Sequence, residues 1–355
     1  MIIQSNISLK SYTTFGIEAK ASRLTIVEDV ADLQQLIANK ALQQKHYILG
    51  GGSNVVLSDD YEGLIVVMRN KGIKHIEPAE VLPQSCAEAT SAHSQLALDD
   101  VFVEAQAGEV WDDFVRHCIA KGWHGAENLI AIPGTVGAAP VQNVGAYGLE
   151  AKDIIHQVHA IEAATGRPHT FTAQECHFAY RNSIFKQELA GRYIVTSVVF
   201  RLSTVFRPNL SYKTVTNALA QHNISSPTAQ ELADAITEVR WSKLPKPEET
   251  GSAGSFFKNP IVTDSKYEAL KSEYPDLVSY PLGDGRYKLA AGWLIEHTGW
   301  KGKSLGPVGV WPKQALVLVN HGIATGADVM RLADAIVADV DARFGVILEK
   351  EAIVI

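Results

Sequence analysis

The chain has 355 residues and a formal net charge of −7, with 20% charged and 46% hydrophobic residues. That balance excludes a disordered, collagenous or long coiled-coil chain, and its acidic sign offers no global field for nucleic acid or an anionic membrane. No apolar run approaches the ~18 residues of a membrane-spanning helix, and Met1–Asn6 lacks a cationic start followed by an apolar stretch, so a cytoplasmic protein is expected.

In chain order, Arg23 to Val27 reads as a strand, and Val30, Leu33, Leu36 and Ile37 follow at helical spacing behind Asp29 as N-cap. An apolar run, His46 to Leu49, ends in Gly50-Gly51-Gly52-Ser53-Asn54, and another strand is expected at Gly63 to Met68. Residues 79–99, rich in Ala, Ser and Gln, read as a surface insertion. Trp111, Phe114, Val115, Cys118 and Ile119 then form a helical stripe closed by Gly122, which turns Cys118 towards a core.

Ile154 to Phe200 reads as antiparallel β structure. Thr228 and Glu231 stand in capping-box spacing before a helix whose face carries Leu232, Ile236 and Val239, and Pro245 ends it. Beyond it a helix is expected near Leu289 to His297 and a strand at Ala315 to Val319. The last helix is capped by Thr325 and Asp328 and stopped by Gly345, and Val346 to Ile355 reads as a terminal strand.

Three segments stand out chemically. In Gly50-Gly51-Gly52-Ser53-Asn54, small residues after a strand let backbone N–H groups converge on an anion. The segment is neither a Rossmann fingerprint, because Val55 replaces the third glycine, nor a Walker loop, because no Lys-Ser/Thr follows. A bare turn is the competing reading. The stretch Ile132 to Gly148 is so poor in bulk that its backbone is expected to press against a flat or phosphorylated ligand.

The third segment joins Lys243 to Gly251-Ser252-Ala253-Gly254-Ser255-Phe256-Phe257-Lys258-Asn259. Its serines are turn residues on the plain reading. Alternatively, Phe256 and Phe257 exclude water beside Ser255, while Lys243 and Lys258 supply positive charge for a carboxylate or an enolate. Tyr180-Arg181 adds a fork-shaped donor. Glu349 and Glu351, two apart on the expected terminal strand, would share a face. His156 and His159, three apart on a strand, would point to opposite faces, so no metal site is expected there. Cys86, Cys118 and Cys176 share no metal or redox spacing.

GGGSN, PGTVGAAPVQNVGAYG, YRNSIFK, SKLPKPEETGSAGSFFKNP, LAAGWLIEHTGWKG, PKQALVLVN and LEKEA occur in that order. Together they resemble the UDP-N-acetylenolpyruvoylglucosamine reductase (UDP-N-acetylmuramate dehydrogenase) family of bacterial peptidoglycan synthesis, from about Thr13 to Glu351. The longer class of that family carries a substrate-closing tyrosine loop, which Leu210-Ser211-Tyr212-Lys213 resembles. The resemblance implies an α+β protein: a vanillyl-alcohol-oxidase (PCMH)-type FAD-binding module in two α/β subdomains, followed by a C-terminal α+β substrate-binding domain. The expected boundaries are 1–70, 71–230 and 231–355, with the terminal strand 346–355 carrying the catalytic glutamate.

The resemblance further implies bound FAD, reduced by NADPH, and a UDP-sugar substrate whose enolpyruvyl ether receives hydride from flavin N5 at C3 and a proton from a serine at C2. Matched motif by motif, Arg181, Ser255 and Glu351 are the catalytic residues, with Ser255 as the proton donor. Tyr180, Tyr212, Lys243, Asn259 and Gln314 match substrate contacts. The FAD contacts match Gly50, Gly51, Gly52, Ser53, Asn54, Pro133, Gly134, Thr135, Gly137, Gln142, Asn143, Gly145 and Ala146. Ile353 stands where some relatives carry an arginine. A monomer with no metal, nucleic-acid or membrane partner is expected. Two alternatives share the fold: a flavin oxidase using O₂, and a UDP-sugar-binding sensor without chemistry.

Overall fold

The computed structural model describes residues 1–81 and 97–355, so most of the expected insertion at 79–99, and Cys86 within it, lies outside the described residues. The chain forms two compact units. The first comprises Met1–Gln4, Arg23–Gly51 and Gly63–Arg240, and the second Ser5–Ser22, Gly52–Glu62 and Trp241–Ile355.

In the first unit the Asp29 carboxylate accepts from Asp32 N and starts the helix Val30–Ala38, whose Leu33 and Leu36 are buried. His46–Leu49 pairs in parallel with Leu64 to Val67 of the strand Tyr61–Met68, and the glycine loop leaves its end. A five-stranded sheet orders Pro168–Thr172, Ile155–Glu162, Tyr193–Ser203, Asp100–Gln106 and Ile73–Ile76, all antiparallel as expected for Ile154 to Phe200. The helix Trp111–Lys121 packs Trp111, Phe114, Val115 and Cys118 into the core, and Gly122 closes it at φ 72°. Burial pushes the Cys118 thiol up, and the Cys176 thiol up to about 12, so both stay protonated and inert. The helix Ala229–Lys243 begins with reciprocal hydrogen bonds between Thr228 and Glu231 and buries Leu232, Ile236 and Val239.

The alternation argument for His156 and His159 fails. A register shift between Ile155 and Gln157 bulges the strand, and the His156 ring lies 4.8 Å from that of Phe102. His159 stands opposite Ser197, whose hydroxyl bonds Glu104, two residues along from Phe102 on the same strand. The two imidazoles therefore share a sheet face, each with its own neighbours; His159 Nδ1 lies 2.8 Å from the Thr170 hydroxyl.

In the second unit, antiparallel strands order Gly251–Ser255, Val317–Asn320, Val308–Val310 and Ser304–Leu305. A smaller sheet orders Ile261–Thr263, Arg286–Leu289 and Ser279–Pro281. The expected helix at Leu289 is later and shorter. Leu289 ends a strand and the helix runs Ala291–His297, because Leu289 N donates to Pro260 O and pins that residue to the sheet. The helix Gly326–Phe344 has both halves of its Thr325–Asp328 capping box and ends at left-handed Gly345.

The expected terminal strand 346–355 is reduced to Ile353–Val354, which pairs in parallel with Val55–Val56. The preceding residues are irregular and meet the Ser255 segment through an isolated bridge between Phe257 and Lys350 and through the bonds of Lys258 N to Glu349 O and of Glu351 N to Phe256 O. Val346, Leu348 and Ala352 are buried, and this packing holds the segment without a ladder. Among the described residues no helix is long and apolar enough to cross a membrane.

Candidate active site

In the first unit the two glycine-rich loops pack against each other. A Cβ on Gly50 would stand 2.4 Å from Thr135 Oγ1, one on Gly51 would stand 2.8 Å from Gly134 Cα, and one on Gly137 would stand 2.6 Å from Ala107 Cβ. The small residues are thus required by close approach of one loop to the other, rather than by a ligand alone as the sequence suggests. Pro133 adjoins this contact. At its centre Thr135 is buried, and its hydroxyl has no hydrogen-bond partner among the described residues. A buried, unanswered hydroxyl between two glycine loops fits a phosphate or ring-oxygen acceptor, so the residues present suit a dinucleotide cofactor such as FAD.

The remaining expected FAD contacts fall into different roles. Gly52, at φ 63°, begins the second unit's part of the loop, and a Cβ there would collide with Tyr12 O at 2.0 Å. Ser53 follows, and Asn54 turns its amide to Glu351 O, donating over 3.3 Å. Gln142 is buried at the end of a one-turn helix. Asn143, buried and at φ 44°, donates to Glu150 Oε2 and Ala179 O and accepts from Lys152 N. Both amide protons of Asn143 are therefore committed to holding the loop. Gly145–Ala146 and Leu149–Glu150 form a hairpin turned by Tyr147 and Gly148, both at positive φ.

Arg181 lies beside this hairpin. Its guanidinium donates to Gly145 O at 2.8 Å and stands 5.5 Å from the Tyr180 ring centroid. Arg181 itself adopts φ 53°, and Ala131, Asn143 and Tyr147 of the same unit are also left-handed. Such strain in non-glycine residues collects where a site must hold a side chain off its relaxed course. The Tyr147 ring meets that of Tyr212 edge to face at 5.4 Å, with Tyr212 half exposed.

Sequence reading missed Arg240. Burial pushes its guanidinium down, while Tyr147, by charge and by hydrogen bond, and Asp112 offset that cost, and Arg181 adds to it. Burial also pushes the Tyr147 phenol up. The available signal was a cation on the apolar side of the Ala229–Lys243 helix, one residue after Val239. Arg181, through Gly145 O, and Arg240, through Tyr147, thus both attach to the Gly145–Glu150 hairpin.

The second unit holds the other expected residues. Ser255 ends the strand Gly251–Ser255 just after a register shift and left-handed Gly254, an irregularity that re-aims the last side chain. Phe256 and Phe257 are fully buried, their rings 5.2 Å apart edge to face, so they anchor Ser255 as well as excluding water. Glu351 N donates to Phe256 O at 2.7 Å, which ties the glutamate to the residue after the serine.

Glu349 and Glu351 do not share a strand face. Glu349 is exposed and ion-paired to Lys258, whereas Glu351 is half-buried. That pair engages Lys258 with Glu349. Asn259 Oδ1 accepts from Ala291 N, and a Cβ on Gly292 would lie 3.1 Å from Gln314 Oε1, which brings both amides to the first turn of the same helix. Lys243 is exposed at the end of its own helix, and its carbonyl accepts from Trp311 Nε1, three residues before Gln314. Arg181 and Tyr212 belong to the first unit, and Ser255, Glu351, Lys243, Asn259 and Gln314 to the second.

An antiparallel sheet beside a parallel strand pair, with small-residue loops and a buried threonine hydroxyl, fits the flavin-binding oxidoreductase class of the PCMH type, and the family match gives that class. Residues 21–172 match the FAD binding domain, and residues 246–355 match the C-terminal domain of UDP-N-acetylenolpyruvoylglucosamine reductase. The enzyme of that name from Bdellovibrio bacteriovorus is 47% identical over 356 residues, covering 99% of each chain. The one from Pseudomonas aeruginosa is 45% identical over 350 residues, covering 98% of each. The chain therefore belongs to the UDP-N-acetylenolpyruvoylglucosamine reductase family. The crystal structure of such a reductase from Thermus caldophilus superposes with a TM-score of 0.65 at 24% identity, covering 100% of this chain and 99% of that one, which agrees in fold.

Proposed function

We propose that this chain catalyses the NADPH-dependent reduction of UDP-N-acetyl-3-O-(1-carboxyvinyl)-glucosamine to UDP-N-acetylmuramate, acting as a cytoplasmic monomer in peptidoglycan precursor synthesis. When FAD is held, it would supply a hydride drawn from NADPH. The Gly50–Gly51 and Pro133–Gly137 loops, the Thr135 hydroxyl and the backbone of Gly145–Ala146 are the groups that would hold that cofactor. The expected partition into 1–70, 71–230 and 231–355 remains part of this reading, with the last domain binding the UDP-sugar.

Hydride arrival at C3 of the enolpyruvyl group leaves negative charge on C2 and the attached carboxylate. Arg181 and Lys243 stabilise it as it forms, because a cation is worth most where charge develops away from water. Ser255 gives its hydroxyl proton to C2. A serine is a weak acid, but C2 is then a strong base and neighbouring cations favour the alkoxide left behind. Glu351 either orients the substrate carboxylate or a water, or returns the proton to Ser255. Tyr180 flanks Arg181, Tyr212 closes over the nucleotide, and Asn259 and Gln314 donate amide protons to the substrate's polar groups.

The observation that carries this reading is the tie between the two expected catalytic segments, Glu351 N to Phe256 O at 2.7 Å, one residue from Ser255. The test is the visible spectrum of the purified protein without oxygen. NADPH should bleach the yellow flavin band and the enolpyruvyl UDP-sugar should restore it. A flavin that only oxygen restores would make the chain an oxidase, and a protein unable to bind flavin would leave a UDP-sugar sensor.

A further inference from the structure

We infer that Asn54, which the family motif places among cofactor contacts, is a positioning residue for Glu351. The inference rests on the proposed role of Glu351 as an acid–base group. Three hydrogen bonds fix the chain on either side of that residue. The Asn54 amide donates to Glu351 O at 3.3 Å, Ile353 N donates to Asn54 O at 2.9 Å, and Glu351 N donates to Phe256 O at 2.7 Å. Asn54 thus contributes both a side-chain donor and a backbone acceptor to the segment that carries the carboxylate.

That segment needs such a tether. Residues 346–352 lie outside the strands, and beyond them Ile353–Val354 pairs in parallel with Val55–Val56, directly after Asn54, over two residues. Without the amide, the Glu351 carbonyl loses this donor while the backbone bonds of Glu351 N and Ala352 N to Phe256 O and of Ile353 N to Asn54 O remain, so the peptide plane after Glu351 tilts between those anchors and shifts the carboxylate relative to Ser255. An asparagine suits the position because its side-chain amide nitrogen is a donor for a backbone carbonyl. Glu349 is held separately, by its ion pair to Lys258, so the amide acts on Glu351 and not on its neighbour.

The test is a double-mutant cycle on the FAD-loaded full chain, read in separate half-reactions. Asn54→Ala should leave the flavin content and the rate of flavin reduction by NADPH unchanged. It should slow flavin reoxidation by the enolpyruvyl UDP-sugar by about 10- to 100-fold, the usual consequence of a misplaced catalytic group. In an E351Q background the same substitution should add nothing, and Asn54→Ser, which keeps a shorter donor, should fall between wild type and Asn54→Ala. Loss of flavin in Asn54→Ala would instead make Asn54 a cofactor ligand, and additive effects in the cycle would detach it from Glu351; either overturns the inference. Failure of both Asn54 variants to fold also overturns it, since the residue would then serve stability alone. If E351Q is itself as active as wild type, the proposed role of Glu351 fails first, and that result is read independently of Asn54.

Discussion

Replacing Thr135 by valine should act with opposite sign on the apoprotein and on the flavin complex. The Thr135 side chain is 3% exposed and its hydroxyl meets no hydrogen-bond partner among the described residues. Burying such a hydroxyl without a partner costs about 1–3 kcal/mol. Valine has nearly the same shape and no polar atom, so Thr135→Val should raise apoprotein stability by up to about that amount. For a unit of this size, that corresponds to about 2–4 °C in Tm per kcal/mol.

FAD binding should respond the other way. A hydrogen bond from the hydroxyl to a charged phosphate is worth about 1.5–3 kcal/mol, so losing it weakens FAD by about 10- to 100-fold. Thermal unfolding of flavin-free protein gives the first quantity, and titration of FAD fluorescence quenching gives the second. A destabilised apoprotein, or unchanged FAD affinity, would refute the reasoning that this hydroxyl is kept unsatisfied for the cofactor.

Gly51→Ala should both destabilise the first unit and weaken FAD. A contact of 2.8 Å to Gly134 must open by at least about 0.6 Å to reach 3.4 Å, and Gly134 can yield only by moving backbone, at a cost of about 1–3 kcal/mol. Flavin content and thermal unfolding of the variant check this. Asn143→Ala should lower stability by about 1–3 kcal/mol, because it strands Lys152 N, takes one of two donors from Ala179 O, which Asn182 N still serves, and removes the amide best suited to φ 44°; urea unfolding measures it.

Burial pushes the Glu104 carboxyl up, but the Ser197 hydroxyl and Lys74 more than offset it and hold it below its usual 4.5. Its contribution to stability is therefore complete above that value and lost as pH falls through the lower folded value. E104Q should flatten the acid limb of a Tm-versus-pH curve, and an unchanged limb would refute the sign. Ser255→Ala should slow flavin reoxidation by the enolpyruvyl UDP-sugar about 10²- to 10⁴-fold, with flavin reduction by NADPH unaffected, as stopped-flow traces of each half-reaction would record.

Local rules made much of this protein legible. Caps at Asp29, Thr228 and Thr325 and stops at Gly122 and Gly345 are short-range hydrogen-bond and φ requirements, so the helices they bound could be read directly. The apolar stripes of those helices and the antiparallel strands before Phe200 follow from periodicity alone. The motif residues Arg181, Ser255 and Glu351 were nameable for the same reason: they sit in short, specific strings.

Tertiary structure decided what depends on distant partners. It gave the two glycine loops each other as neighbours, which explains Gly50 and Gly51 by a close approach no local pattern encodes. A bulge at His156 overrode alternation, and the expected terminal strand shrank to Ile353–Val354 because its ladder partner among the described residues is the two-residue Val55–Val56 strand. Arg240 became visible only once Tyr147 and Asp112, which precede it by about ninety and about one hundred and thirty residues in the chain, were seen to offset the cost of its burial. Periodicity records which face of an element is apolar; it carries no information about which remote backbone, hydroxyl or charge will fill the space opposite, and in this protein those remote choices separate a loop residue from a site residue.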